Sequence, residues 1–144
     1  MMPSTPITAV DSFRRAVEAG DLEGMLELLA PQVRLYNPMA PEPIEGRERM
    51  RPVFQVLQRI FQDVRYTRVF AGGSADGAPP REGMQALVFR CRVGSEEIEG
   101  IDIFDLDDQG RIATLTVMLP PLAGIYALAE AMAGPSDEGD PGRQ

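Results

Sequence analysis

Apolar residues recur along this chain at two spacings, three-to-four and two, and the switches between them mark out its elements. Ile7, Val10, Phe13 and Val17 fall at helical spacing behind Ser4-Thr5-Pro6. That predicts a helix with Thr5 as N-cap and Pro6 at the first helical position. Gly20 ends it, and Asp21 caps a short second helix carrying Leu22, Met25, Leu26 and Leu29, which Pro31 stops. From Gln32 to Asn37 the period drops to two, with Val33, Leu35 and Asn37 on one face and Arg34 and Tyr36 on the other. Residues 38–44 form a proline-rich loop. A third helix follows, with Met50, Val53, Phe54, Leu57 and Phe61 on one side. Pro52 is tolerated only near a helix start, so this helix is expected to begin only a turn or so before it.

Beyond the third helix the chain alternates. Strands are predicted over 64–71, 84–93, 98–106 and 111–119, separated by a glycine-rich loop (72–83) and by turns at Gly94-Ser95 and Asp107-Asp108-Gln109-Gly110. Pro120-Pro121 opens a terminal helix with Leu122, Ile125, Leu128, Ala129 and Met132 on its apolar side. Residues 134–144 carry no further apolar side chain and read as a disordered tail, leaving 1–133 as one domain.

The strand 98–106 holds the candidate chemistry. Ile98, Gly100, Asp102, Phe104 and Leu106 share its apolar face, so Asp102 stands among core residues, where a carboxylate is costly unless paired, hydrogen-bonded or protonated. Matching Arg92 with Glu97 and Arg90 with Glu99 sets the register of the 84–93 hairpin, with Val88 opposite Ile101, Leu87 beside Asp102 and Phe89 beside Gly100. In the last strand Ala113, Leu115, Val117 and Leu119 form the apolar face, and Leu115 is expected to flank Asp102 from the other side. Asn37 is a polar residue at the end of another apolar face. Asp102 is then either a working acid or a structural one satisfied by Asn37, Tyr36 or a buried water.

Composition narrows the chemistry. There is no histidine, which excludes Ser-His and Cys-His nucleophile systems and the usual zinc sites, so acid–base work falls to Asp, Glu, Tyr, Arg, Lys or Cys. The net charge of -8 and the lack of a basic run argue against nucleic-acid or anionic-membrane partners; Arg47, Arg49 and Arg51 are diluted by Glu45 and Glu48. One cysteine, Cys91, precludes an internal disulfide and reads as a small buried hydrophobe in a reducing, cytoplasmic setting. Neither a signal peptide nor a long apolar run is visible. Eight methionines favour an adaptable apolar lining.

Helix, short helix, strand, helix and then a meander of strands, with Ala19-Gly20-Asp21-Leu22, Tyr36-Asn37-Pro38 followed by Glu45-Gly46, and Gly100-Ile101-Asp102-Ile103-Phe104, resembles the nuclear transport factor 2-like superfamily over roughly Ile7 to Leu119. The resemblance is to its SnoaL-like and ketosteroid-isomerase-like branch. It implies an α+β, cone-shaped fold in which a curved mixed or antiparallel sheet wraps around helices over an internal pocket, with a C-terminal helix. Against ketosteroid isomerase, Asp102 matches a protonated donor aspartate, a case already worked out as a type example. Phe13 falls where that enzyme has a tyrosine, and Asn37 where it has a basic aspartate. Asn37 can orient a ligand oxygen but cannot take its proton. Limonene epoxide hydrolase is a more distant resemblance: Asn37 matches its asparagine, Tyr36 is one position out of step with its tyrosine, and its water-activating acid has no counterpart, Val117 standing at that place.

The resemblance implies a small apolar ligand, steroid-, terpenoid- or polyketide-like, bound by Phe13, Tyr36, Met39, Phe54, Leu57, Phe61, Phe89, Leu115 and Val117. It further implies Asp102 and Asn37 as the catalytic pair of a cofactor-free and metal-free proton transfer of the isomerase, cyclase or dehydratase type. A non-catalytic ligand-binding or accessory protein on the same scaffold is the alternative, and epoxide hydrolysis a third. The family habit also implies a homodimer through the outer face of the sheet.

Overall fold

The computed structural model describes residues 8–38, 40–72, 75–76 and 84–119. The first helix, α1 (Ala9–Ala19), begins three residues later than its apolar spacing suggested. Its N-cap is Thr8, whose hydroxyl accepts the Asp11 N–H while the Asp11 carboxylate accepts the Thr8 N–H, a reciprocal capping box. Thr5 and Pro6 lie outside the described residues. Gly20 closes α1 in the left-handed conformation (φ 71°). Asp21 caps α2 (Leu22–Glu27) as expected, by accepting the Gly24 N–H at 3.0 Å.

Leu29, assigned to α2 from its spacing, instead opens β1 (Leu29–Tyr36), and Pro31 lies inside that strand rather than before it. Pairing to the neighbouring strand is interrupted between Leu29 and Arg34, so a residue without an N–H costs no ladder bond there. A short β2 (Ile44–Glu45) folds back on β1, and α3 (Arg47–Ile60) follows, starting a little over one turn before Pro52. The Arg47 guanidinium binds the Leu29 carbonyl and ties α3 to the start of β1.

The remaining strands are β3 (Gln62–Ala71), β4 (Gln85–Val93), β5 (Glu96–Leu106) and β6 (Ile112–Met118). The six form one open, curved sheet in the order β2-β1-β6-β5-β4-β3, antiparallel except for the parallel β1–β6 pair. The β4–β5 register is the one the charges predict: Arg92 opposite Glu97, Arg90 opposite Glu99, Val88 opposite Ile101, Leu87 opposite Asp102 and Phe89 opposite Gly100. Arg90 points outward, its guanidinium 3.4 Å from both Glu97 and Glu99.

The β5–β6 register departs from expectation. Leu115 pairs with Phe104, and Val117 sits opposite Asp102. An irregularity at the start of β6 leaves Ala113 out of the ladder, with Ile112 opposite Leu106 and Thr114 opposite Asp105, and turns Ile112 inward to full burial. The register therefore cannot be counted straight out of the preceding turn; parity alone allows either Leu115 or Val117 on the Asp102 face.

The helices pack on the concave face of the sheet. One apolar cluster joins Val10, Phe13, Leu29, Val33, Met50, Phe54, Leu87, Phe104, Ile112 and Leu115; a second joins Phe89, Cys91, Val93 and Ile98. Asp102 stands where the two meet. The convex face leaves Phe70, Ile101 and Met118 exposed, at 51, 36 and 49 %. The expected terminal helix and tail lie outside the described residues. No helix among the described residues is long and apolar enough to cross a membrane.

Candidate functional site

Asp102 is the one buried charged residue among the described positions, at 7 % exposure. Its neighbours along the inward face of β5 are Gly100 and Phe104, and across the ladder Leu87 and Val117, so nothing beside it in the sheet offers a countercharge. The group that satisfies it comes from two strands away. The Tyr66 hydroxyl, on β3, donates to Asp102 Oδ2 at 2.9 Å. Strands two apart in a sheet are separated by about 10 Å. The concave curl of β3, helped by irregularities on either side of Arg65 and Tyr66, lets a tyrosine cover that gap.

Glycine makes this arrangement possible. A Cβ at Gly100 would stand 2.5 Å from Phe89 Cζ and 2.8 Å from the Met118 carbonyl oxygen, so the bare backbone there is what lets the Phe89 ring lie across β5. Phe89 in turn meets Tyr66 edge-on at 6.1 Å and Phe61 at 6.1 Å, holding the tyrosine over the strand.

Burial raises the Asp102 carboxyl from its ordinary 3.8 to about 7, with the Tyr66 hydrogen bond pulling weakly the other way. Tyr66 is pushed well above its ordinary value, by burial first and then by the nearby Asp102 charge. The proton therefore stays on the phenol, and Asp102 is the member of the pair that titrates near neutrality. Cys91, fully buried, has its thiol pushed up to about 12 by desolvation, which removes it as a nucleophile.

Asp102 and Tyr66 open onto a cavity of about 610 Å³ between the sheet and the helices. Phe13, Asn37, Phe54, Leu57, Phe61, Phe89, Leu115 and Val117 line the same cavity. Tyr36 does not. It lies half-buried on the opposite parity of β1, beside Thr116, and is neither a cavity residue nor the partner of Asp102. Met39 lies outside the described residues. Among the described residues no group of three or more Asp, Glu, Cys or His side chains is arranged to hold a metal ion.

A SnoaL-like domain matches residues 10–115. The chain belongs to the SnoaL-like domain family. A steroid delta-isomerase from Pseudomonas aeruginosa has the same fold at 34 % identity and a TM-score of 0.75, over 87 % of this SnoaL-like chain and 86 % of that one. A Silicibacter pomeroyi protein described as having a cystatin-like fold matches at 27 % identity and a TM-score of 0.75, over 87 % and 82 % of the two chains. The epoxide hydrolase/cyclase-like enzyme SalBIII, of pyran ring formation in salinomycin, shares the fold at 20 % identity and a TM-score of 0.60, over 78 % and 88 %. The search of curated proteins gave no match. The SnoaL-like chain thus has the nuclear transport factor 2-like fold, ketosteroid-isomerase-like proteins included.

The cavity of this SnoaL-like domain holds polar residues that sequence reasoning passed over: Tyr66 above all, and Glu18, Gln58 and Asp63. Tyr66 shares parity with Val64, which places it on the inward face of its strand. Nothing in the local pattern, however, links a residue on β3 to one on β5.

Proposed function

We propose that this SnoaL-like domain binds a small apolar ligand, of steroid-, terpenoid- or polyketide-like character, in the cavity and moves a proton on it with Asp102. The observation that carries this reading is the buried Asp102, bonded through Oδ2 to Tyr66, on the wall of an otherwise largely apolar cavity. Tyr66 takes Oδ2, so a ligand oxygen meets Oδ1. Protonated, Asp102 donates there to a carbonyl or hydroxyl; ionised, it accepts. A group with a pKa near the working pH does both with the smallest penalty. Asn37, on the same wall, orients a ligand oxygen without exchanging its proton. The isomerase name of the Pseudomonas aeruginosa relative and the cyclase-like name of SalBIII support the same class of reaction.

The test is a β,γ-unsaturated 3-ketosteroid followed by absorbance, beside binding of a phenolic steroid followed by fluorescence. Wild type is expected to bind the phenol and convert the ketone. Binding without conversion supports the second reading, a carrier or accessory protein, which the asparagine at position 37 favours because it removes one proton acceptor. Failure to bind either probe overturns both readings.

Tyr66 acts through Asp102 and is a positioning residue. Tyr66→Phe keeps the ring against Phe89 but removes the hydrogen bond that lowers the Asp102 pKa. The Asp102 midpoint is expected to move upward from about 7, read by carboxyl carbon NMR titration. An unmoved midpoint would show that the bond does not govern the acid.

A homodimer through the convex face remains part of this proposal, supported by the exposed Phe70, Ile101 and Met118. Sedimentation at twice the chain mass is expected, with Met118→Lys shifting it toward the monomer. A wild-type monomer at micromolar concentration would remove the dimer from the reading.

A further inference from the structure

We propose that the apolar ligand of this cavity carries a basic amine, held as an ammonium between Asp102 and the aromatic rings beside it. This rests on the cavity being the ligand site, as read above, and not on whether Asp102 also moves a proton.

A buried carboxylate needs a countercharge, a hydrogen bond or a proton. Asp102 accepts the Tyr66 hydroxyl at 2.9 Å and forms no ion pair among the described residues. The cavity wall cannot supply the missing charge. All 14 basic residues of the chain are arginines, and among the described residues none of them lines the cavity. Several are committed elsewhere: Arg51 to Glu23, Arg65 and Arg90 to Glu97, Arg92 to Asp63. The charged side chains that do line the cavity are acids, namely Glu18, Asp63 and Asp102. A carboxylate or phosphate ligand would meet like charge there and no partner. A cation is the one charge that a ligand can bring favourably.

The rings give a second, independent reason. Phe61, Phe89 and Tyr66 stand in a row, 6.1 Å between centroids at each step, and the tyrosine hydroxyl ends that row on Asp102. Phe13 and Phe54 line the same cavity. The face of an aromatic ring is negative and attracts an ammonium within about 6 Å of its centroid. A neutral carbonyl or hydroxyl gains nothing comparable from those faces. An ammonium loses water on entering, and the carboxylate and rings replace that hydration while the apolar body fills the rest of the cavity.

The pairing carries its own pH dependence. Burial raises the Asp102 carboxyl to about 7, and only its ionised form attracts the cation, so amine affinity rises as pH passes through that value. The other titratable groups around the cavity are Glu18 on α1, Asp63 and Tyr66 on β3, and Cys91 buried in β4. Tyr66 and Cys91 are both pushed up and stay neutral below pH 8. The lining residues of α3 and β6 carry no titratable group.

The experiment measures binding of geranylamine, geraniol and geranate, three probes with one carbon skeleton, by calorimetry at pH 5 and pH 8. At pH 8 wild type is expected to bind the amine at least about 10-fold tighter than the alcohol, and geranate more weakly than either. Between pH 8 and pH 5 amine affinity is expected to fall about 10-fold or more, whereas that of the alcohol does not fall. Asp102→Asn should lose both the preference and the pH dependence, which assigns them to Asp102 rather than to Glu18 or Asp63. If that variant does not fold, the wild-type pH profile decides, and a flat one overturns the inference. An amine no tighter than the alcohol, or geranate as tight as the amine, also overturns it. So does a preference that survives unchanged in Asp102→Asn, which is attraction to the acidic surface. In each of these cases binding of the phenolic steroid leaves the ligand-site reading standing. Failure of every probe, the phenolic steroid included, overturns both.

Discussion

Asp102→Asn is expected to melt higher than wild type at pH 8 and to have lost turnover of the ketosteroid. The two effects share one cause. In the folded protein burial holds the proton on Asp102 up to about pH 7, whereas the unfolded chain releases it near its ordinary 3.8. Between those values the folded state binds more protons than the unfolded one. Wild-type stability from this residue is therefore highest below about 3.8, declines as pH rises toward about 7, and is level above. The full decline is on the order of 4 kcal/mol as an upper bound, or roughly 10 °C in Tm for a domain of this size.

Asparagine does not titrate, and its side-chain oxygen still accepts the Tyr66 O–H, so the variant escapes the penalty without losing the bond. Melting curves of both proteins at pH 5 and pH 8 check this: the variant's advantage should be larger at pH 8. An advantage that does not change between the two pH values would mean that Asp102 is not held neutral by burial. A fall in Tm at both would give the residue a structural role instead. Turnover should drop by at least about 100-fold, since the proton that meets the ligand oxygen is gone.

Phe104→Ala is expected to be the most destabilising single truncation near the site. Phe104 is fully buried, two residues along β5 from Asp102, and meets Phe13 edge-on at 5.4 Å; Phe13 in turn meets Phe54 at 6.0 Å. Removing the ring loses its transfer free energy and leaves a void bounded by a sheet and a helix that cannot close on it. The cost is about 3–5 kcal/mol, a large part of the ~5–15 kcal/mol available to a domain. Urea denaturation with an unchanged m-value and a lowered midpoint would show it. A loss under about 1 kcal/mol would mean that the three phenylalanines do not form the brace between α1, α3 and β5. Since Phe13 and Phe54 also line the cavity, ligand affinity should weaken in the same variant.

What the chain determines by itself is local. Period-two alternation places Asp102 on the inward face of its strand because side-chain direction in a strand depends only on parity. The facing charges of Arg90, Arg92, Glu97 and Glu99 set the β4–β5 register because a two-residue turn leaves few registers, and only one pairs opposite charges. The order of helices and strands, with the segments around Asp21, Asn37 and Asp102, was enough to reach the family and its α+β fold.

What the tertiary structure alone decided is how those elements meet. The parallel seating of β1 on β6 and the register that puts Val117 opposite Asp102 each depend on backbone bonds made to partners on other strands. The partner of Asp102 belongs here too. Tyr36 is the tyrosine next to Asn37 in sequence, but its parity turns it to the convex side. Tyr66 reaches Asp102 from two strands away because the sheet curls and Gly100 lets the Phe89 ring lie across β5, edge-on to the tyrosine. Parity and charge act between neighbours in the chain or across one hairpin and can be read in order. Curvature sums small twists and irregularities over the whole sheet, so the contacts it makes have no local signature.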